Sequence, residues 1–420
     1  MNPVYKIIFN VTFLFIAFIC SSHVKINAQD GYFTVNGKIK DNNTRKPLEY
    51  VTISVAGQNI GTVSNSDGEF TLKVPNNISA AFVEFSHIGY YSYRMPVNGE
   101  NTAGAEIFLS QFVVILSDMI VHGGDARYIV QEAVKKIPKN YCASLSQLTG
   151  FYRETVQKRR NYINISEAVI DLYKTSYSEY ADLDRLKILK GRKLLSQKAA
   201  DTLAVKVLGG PNLSIFVDIV KNPDVLLDRE TLSYFSFKIE NITQINGRDQ
   251  YIISFKPQVV TPFPLCFGTF YIDKESLAFT RAEFHLDMSD RNKVSDIILK
   301  KKPAGLRFRP EEVSYIVSYQ ERNGVSYLSY IRNSLKFKCD WRRRLFSTNY
   351  DIVSEMVVTD VNLQNVALIP RKDAFRPTHV LNDRVMDFFD EDFWGAYNII
   401  EPTESLEMAV NKLKKQQKTN

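Results

Sequence analysis

The stretch GKIKDNNTRKPLEYVTISVAGQNIGTVSNSDGEFTLKVP, Gly37 to Pro75, constrains the fold most. Apolar and polar residues alternate through it, and Gly, Pro, Asn and Asp interrupt it every few residues. Period-two alternation puts one face of each segment in a core and the other in solvent, as in short antiparallel strands. Phe33–Ile39, Leu48–Val55, Thr62–Ser64 and Glu69–Val74 are the predicted strands. Asp41–Pro47 and Asn65–Gly68 are turns, in which Pro47 fixes φ and Gly68 can take positive φ without steric cost. Ala81–His87, Tyr90–Val97 and Glu106–Leu109 continue the pattern. No catalytic group stands out in the stretch.

These residues carry a resemblance. Gly37, Ile39, Asp41, Pro47, Leu48, Gly61, Thr62, Ser64, Asp67, Gly68, Phe70, Gly89 and Tyr90 form a pattern that resembles the carboxypeptidase regulatory-like β-sandwich, which has transthyretin-like topology. The resemblance covers about residues 33–109. It implies a non-catalytic folding or docking module of the kind found in exported Bacteroidetes envelope proteins, TonB-dependent receptors among them. No peptidase activity follows from the family's name.

An export signal fits that implication. Lys6 precedes an apolar run, Ile7–Cys20, and Ala28 supplies a small residue before Gln29, as in a secretory signal peptide cut after Ala28. The run falls short of the ~20 residues a spanning helix needs. An uncleaved anchor, or acylation at Cys20, are the alternatives. Loss of Lys6 and Lys25 lowers the net charge from +7 to +5. So small a basic excess gives no case for nucleic acid as a partner. No later stretch is long and apolar enough for a transmembrane helix, and the long run of amphipathic strands that a receptor barrel needs is missing. Cys142, Cys266 and Cys339 show no metal spacing and allow at most one disulfide. Buried free thiols are the other reading.

Downstream the chain is mainly β. Phe112–Val121 reads as a linking strand and Gly123-Gly124 as a linker. Asp125 caps a helix whose Ile129, Ala133, Val134 and Ile137 recur at helical spacing and which Pro138 closes. Leu148–Val156 and Tyr162–Tyr173 are strands. Asn212–Lys221 is a helix, stopped at Asn222-Pro223. Three hairpins follow between Ser233 and Lys338, turning at Asn246-Gly247, Asp273–Ser276 and Asn323-Gly324. Asn-Gly is a strong hairpin signal because both residues tolerate positive φ. Phe267–Phe284 is similar to the hairpin of periplasmic lipoprotein-carrier folds, which implies a half-barrel whose concave face holds acyl chains. Phe346–Val361 is a last strand. DFWGAYNIIEP, Asp392–Pro402, predicts a tail docked on the core, and Thr403 caps a helix over Glu404–Lys414. The expected fold is an N-terminal β-sandwich (29–110) after a signal peptide (1–28). A linker (111–124), a large antiparallel meander or half-barrel with a few helices (125–402) and a C-terminal helix with frayed tail (403–420) complete it.

Several groups are candidate sites. Asp67 lacks the calcium-loop pattern and reads as capping its own turn. Leu183–Val207 is basic and reads as a solvated loop and short helix, or as a face for lipid headgroups or glycan. Trp341 beside three arginines could serve cation–π packing. The cluster Asp387, Asp390, Glu391 and Asp392 lacks a partner for acid–base work. His87, His122, His285 and His379 form no ligand pair, and no hydrolase, phosphate-binding or dinucleotide signature occurs. No catalytic, cofactor or metal residue is therefore assigned. The expected function is that of a non-enzymatic exported envelope protein, in the periplasm or at the outer membrane of a Gram-negative bacterium. Its sandwich docks or aids folding, and its larger sheet binds an apolar ligand or a partner protein. A purely structural or interaction module, and a hydrolase of envelope glycan or peptide, are the competing readings.

Overall fold

A computed structural model of the protein describes residues 31–112, 123–198, 201, 203, 205–207, 209–341, 347–364, 366–387 and 393–418. The export signal with Cys20, the Phe112–Val121 strand beyond Phe112, His122, the arginines after Trp341 and the acids Asp390, Glu391 and Asp392 lie outside the described residues.

Seven strands form the N-terminal sandwich: β1 (Tyr32–Asp41), β2 (Thr52–Val55), β3 (Gly61–Val63), β4 (Glu69–Pro75), β5 (Phe82–Ser86), β6 (Tyr93–Pro96) and β7 (Thr102–Leu109). One sheet has the order β4-β1-β7 and the other β3-β2-β5-β6. Their inward side chains, among them Val35, Ile39, Ile53, Phe70, Leu72 and Phe85, make one buried core. β7 pairs with β1 in parallel, with a register shift between Val35 and Gly37. Gly37 allows this approach, since a Cβ there would stand 2.0 Å from Ala105 O. The strand predicted over Leu48–Val55 begins only at Thr52. Tyr50 takes φ 58 instead, and its ring stacks on Tyr330 of the large sheet at 5.5 Å. A contact with a remote part of the chain thus overrides local β-propensity.

Helices α1 (Gly123–Lys135) and α2 (Ile137–Asn140) lead into the larger part. Gly123 and Gly124 lie in α1 rather than in a linker, and Asp125 falls within its first turn. Pro138 occupies the first turn of α2, where its missing N–H costs nothing, so it restarts the helix instead of closing it. Then come β8 (Ser146–Lys158), β9 (Asn161–Lys174), β10 (Arg185–Leu195) and β11 (Lys206–Val207), followed by α3 (Pro211–Phe216) and α4 (Arg229–Ser233). β12 (Phe235–Ile245), β13 (Arg248–Pro257), β14 (Cys266–Asp273) and β15 (Phe279–Leu286) precede α5 (Arg291–Ile298). β16 (Leu299–Lys301), β17 (Leu306–Arg322), β18 (Val325–Trp341), β19 (Thr348–Asn362), β20 (Met386–Asp387) and α6 (Glu404–Lys418) complete the chain. The large sheet runs β12-β13-β14-β15-β17-β18-β19-β8-β9-β10-β20. All neighbours are antiparallel except the two-residue β20. The two Asn-Gly hairpins form as predicted, with Asn246 at φ 51 and Asn323 at φ 52.

Two further expectations differ from the structure. The first part of the basic stretch 183–207 is not a loop: Arg185–Leu195 is β10, a full strand paired along β9. The helix expected over 212–221 stops at Phe216. The inner face of the sheet is apolar, as a half-barrel requires, but the chain itself fills it. Ala126, Val130 and Ala133 of α1, Ile215, Val217, Ile219 and Val220, and Val294 and Ile298 of α5 bury it together with the inward side chains of the strands. Phe255 and Phe270 stack there at 4.4 Å. No helix among the described residues is long and apolar enough to cross a membrane.

Asp41, the motif acid at the end of β1, ties the sandwich's first loop together. Its carboxylate accepts from Asn43 N, from Thr44 N and Oγ1, from Tyr90 OH and from Gln111 Nε2. The backbone N–H of Thr44 leads the groups that hold its pKa down at about 2, against burial. A depressed carboxyl contributes stability above its unfolded value that is lost as pH falls through the folded one. Asp41→Asn is therefore expected to lower the unfolding temperature at neutral pH and to flatten its fall between the usual aspartate range and pH about 2. Calorimetry across that range measures it.

Candidate functional site

The outer face of the large sheet carries a row of alternating charge. Arg332 of β18 is paired in register with Glu355 of β19, Glu355 with Arg153 of β8, Arg153 with Glu167 of β9, and Glu167 with Arg192 of β10. Opposite charges directly across strands attract, and each position here has one. Arg153 Nε donates to Glu167 Oε1 at 2.7 Å, and Arg192 Nε donates to Glu167 Oε2 at 3.0 Å. Tyr330 OH donates to Glu355 Oε1 at 2.8 Å. The Arg153–Glu167 pair is almost wholly buried, with side-chain exposures of 4% and 3%.

Apolar rows flank the charges on both sides. Tyr330, Val357, Phe151 and Val169 lie under the sandwich and the tail, together with Val63, Phe393, Trp394 and Ile400. On the other side Ile165 and Leu194 lie under Leu406 and Leu413 of α6. The tail predicted to dock does so, threading between sandwich and sheet. Arg153 donates to Ile400 O at 2.8 Å and to Glu401 O at 3.3 Å. Trp394 meets Phe151 edge-on at 5.4 Å, and the Arg192 guanidinium lies over its ring at 4.8 Å. From the other side Thr62 Oγ1 donates to Ile399 O, and Asn398 bonds both the N–H and the carbonyl of Lys73. Further bonds reach the sheet directly: Asn59 Nδ2 donates to Val361 O, Gln320 Nε2 to Ser54 Oγ, and Gly89 N to Gln244 O.

Asp67 does not cap its own turn. Asn65 Oδ1 does so, accepting from Asp67 N and Glu69 N. The Asp67 carboxylate accepts from Glu404 N instead, beside the Thr403 cap of α6. Three cations of the basic stretch are likewise committed inward. Arg185 donates to Ile369 O, Lys190 to Phe393 O and Lys193 to Asn382 O.

The charged row opens at its Arg332 end into a groove of ≈ 280 Å³ lined by Glu49, Tyr50, Arg332, Asp351, Glu355 and Glu401, among others. Burial raises the Asp351 carboxyl, and its Oδ1 has no hydrogen-bond partner. Burial and Glu355 raise the Tyr50 phenol far above its ordinary value. Converging carboxylates are what a glycan hydrolase would need. Yet Asp351 and Glu355 stand four residues apart on one strand, about 13 Å of rise. Paired glycosidase carboxyls lie roughly 5–9.5 Å apart.

A second charged cluster lies inside. Lys174 Nζ donates to Asp218 at 2.9 Å and Asp184 at 3.3 Å. Lys221 donates to Thr175 Oγ1 at 2.7 Å and to the carbonyl of Glu179 at 3.0 Å, and Tyr319 OH donates to Asp218. Burial pulls the Lys174 ammonium down, but Asp218 and Asp184 outweigh it and hold the group above its ordinary value. Burial lowers Lys221. Fully enclosed, these charges fasten the segment around Asp218 to the end of β9. Single Lys and Asp residues so far apart in sequence give no local signal of it.

The remaining candidates among the described residues are enclosed or packed on neighbours. Cys142, Cys266 and Cys339 are free and buried, with burial pushing Cys266 up to about 12 and Cys339 to about 11. Burial lowers His87 to about 4. His285 stacks on Phe267, and His379 accepts from Arg376 N. Among the described residues no three His, Cys, Asp or Glu side chains are placed to hold a metal.

Glu167→Gln is expected to destabilise the protein by about 3–5 kcal/mol, because two arginines lose their buried counter-charge. Arg153→Met with Glu167→Leu should recover only part of that loss, because the Glu167 counter-charge to Arg192 and the Arg153 donors to the Ile400 and Glu401 carbonyls stay absent. Urea unfolding of the three proteins measures both effects.

Residues 35–121 match the CarboxypepD_reg-like domain, the family read from Gly37 to Tyr90. A search of curated proteins finds no match. Among solved structures, one similar chain is described as an outer membrane lipoprotein-sorting protein domain from Vibrio parahaemolyticus, at 10% identity and TM-score 0.26. That likeness covers 60% of this chain and 97% of the other. A DUF1329 family protein from Desulfovibrio piger is similar at 11% identity and TM-score 0.23, over 58% of this chain and 95% of that one. A membrane-associated protein of unknown function from Bacteroides fragilis is similar at 12% identity and TM-score 0.16, over 79% and 98%. Likenesses this distant carry no argument about function.

Proposed function

We propose that the chain is a non-enzymatic binding protein of the cell envelope, exported by the segment that ends at Ala28, in which the sandwich (29–110) and the large β domain (125–402) act as one body. The observation that carries this reading is the seam. The sandwich, the tail and the outer face of the sheet share a desolvated charged row, apolar rows on either side of it and hydrogen bonds from both partners. A family module that could dock elsewhere is here spent on holding its own chain together.

The filled inner face moves the binding role outward. An acyl chain would have to displace Phe255, Phe270 and the segment around Val220. The outer face of β12–β15, beyond the sandwich, is open instead. Lys238, Ser254, Thr269 and Glu283 line a shallow groove of ≈ 570 Å³ there with Phe267 and His285. An aromatic platform ringed by polar groups suits a protein partner better than a bare apolar ligand.

A photo-crosslinking residue at Thr269 of the full chain in its native envelope is expected to give one discrete protein adduct. The same residue at Thr62, inside the seam, should crosslink only within the chain. No adduct from Thr269, together with a lipid co-purifying in equimolar amount, would favour apolar-ligand carriage instead.

A further inference from the structure

We infer that the strand-end rim of the large sheet remote from the sandwich is a membrane-facing surface that takes the anionic, phosphate-bearing headgroups of a lipid bilayer. This goes beyond the partner face proposed above and does not rest on it. Strand direction defines the rim. β13, β15, β18, β8 and β10 end on it, and β12, β14, β17, β19 and β9 begin on it, since Phe235 is paired with Pro257, Cys266 with Leu286, Leu306 with Trp341, Cys339 with Thr348 and Lys158 with Asn161. The sandwich's direct hydrogen bonds to the sheet go to the opposite end, at Gln244, Asn246, Gln320 and Val361.

The rim combines the two features that interfacial binding requires. Its charge is concentrated in a groove of ≈ 540 Å³ between the β8–β9 turn and α6, lined by Lys158, Arg159, Arg160, Lys198 and Lys412 with Asp201 the one acid. Asp201 accepts from Ser196 and lies 3.8 Å from Lys158. Among the described residues the side chains of Arg159, Arg160, Lys198 and Lys412 make no ion pair. A cationic groove of this size suits phosphate esters. Its apolar part is the projecting loop between β13 and β14, where Val260 is 94% and Phe263 47% exposed. Trp341 at the end of β18 and Met408 on α6 are exposed on the same rim. Asp287 and Asp290 line the small cleft beside the Val260 loop. Attraction to anionic lipid therefore comes from the groove, and insertion from the loop.

Vesicle flotation of the chain lacking residues 1–28, which contribute no described element, tests this. Binding is expected to phosphatidylglycerol-containing vesicles, not to pure phosphatidylcholine, and to weaken at high salt. Arg160→Glu with Lys412→Glu should weaken it by about tenfold or more. Val260→Asp should weaken it as well. All three residues are exposed, so circular dichroism should not change. Equal binding to neutral vesicles, or no binding to anionic ones, would overturn the proposal. So would heparin bound as tightly as vesicles while Val260→Asp has no effect, which would point to a polyanion instead of a bilayer.

Discussion

The structure depends on the buried pairing of Arg153 with Glu167. Two ions taken out of water cost several kcal/mol each unless their remaining hydrogen-bonding capacity is filled. Here Glu167 is shared by two arginines, and Arg153 spends its other N–H groups on the carbonyls of Ile400 and Glu401. The tail is therefore more than a cover: it completes the solvation of a charge the sheet has already buried. The sandwich in turn holds the tail through Thr62, Asn65 and Lys73. Each layer satisfies polar groups that the layer below leaves open, so the three interlock.

Much of the fold was legible because its signals are local. Alternation and Asn-Gly turns identify the hairpins, and Phe393, Trp394 and Tyr397 beside two isoleucines identify a tail that must be covered. The seam was not legible. Arg153, Glu167, Arg192, Arg332 and Glu355 come from five strands, and each alone looks like an ordinary solvent-facing position. Only the register of the strands makes them one row. Tyr50 shows the same limit from the other side, leaving its predicted strand for a ring contact nearly three hundred residues on. The strand Arg185–Leu195 is hidden in the sequence for a related cause. Its cations alternate as outward residues of β10 do, but their density looks like a solvated loop until the acceptors supplied by residues 369, 382 and 393 are known.

The functional picture follows from what is left uncovered. The sandwich and tail occupy the outer face over β18, β19, β8, β9 and β10, and the chain's own helices fill the inner face. The outer face of β12–β15 and the strand-end rim stay open. In the proposal made above the regulatory-like domain serves as a structural clamp, and binding falls to surfaces of the larger sheet. The buried cluster of Lys174, Asp184, Asp218 and Lys221 fits this division, since it fixes the inner-face segment in place and presents nothing to solvent.

The central claim is that sandwich and sheet form one cooperative body. Hydrogen exchange followed by mass spectrometry along a urea gradient tests it most directly, because it reads β1 and β4 separately from β18 and β19. One body predicts that protection in both regions is lost at the same urea concentration. A sandwich that loses protection at distinctly lower urea, while β18 and β19 stay protected, would contradict it.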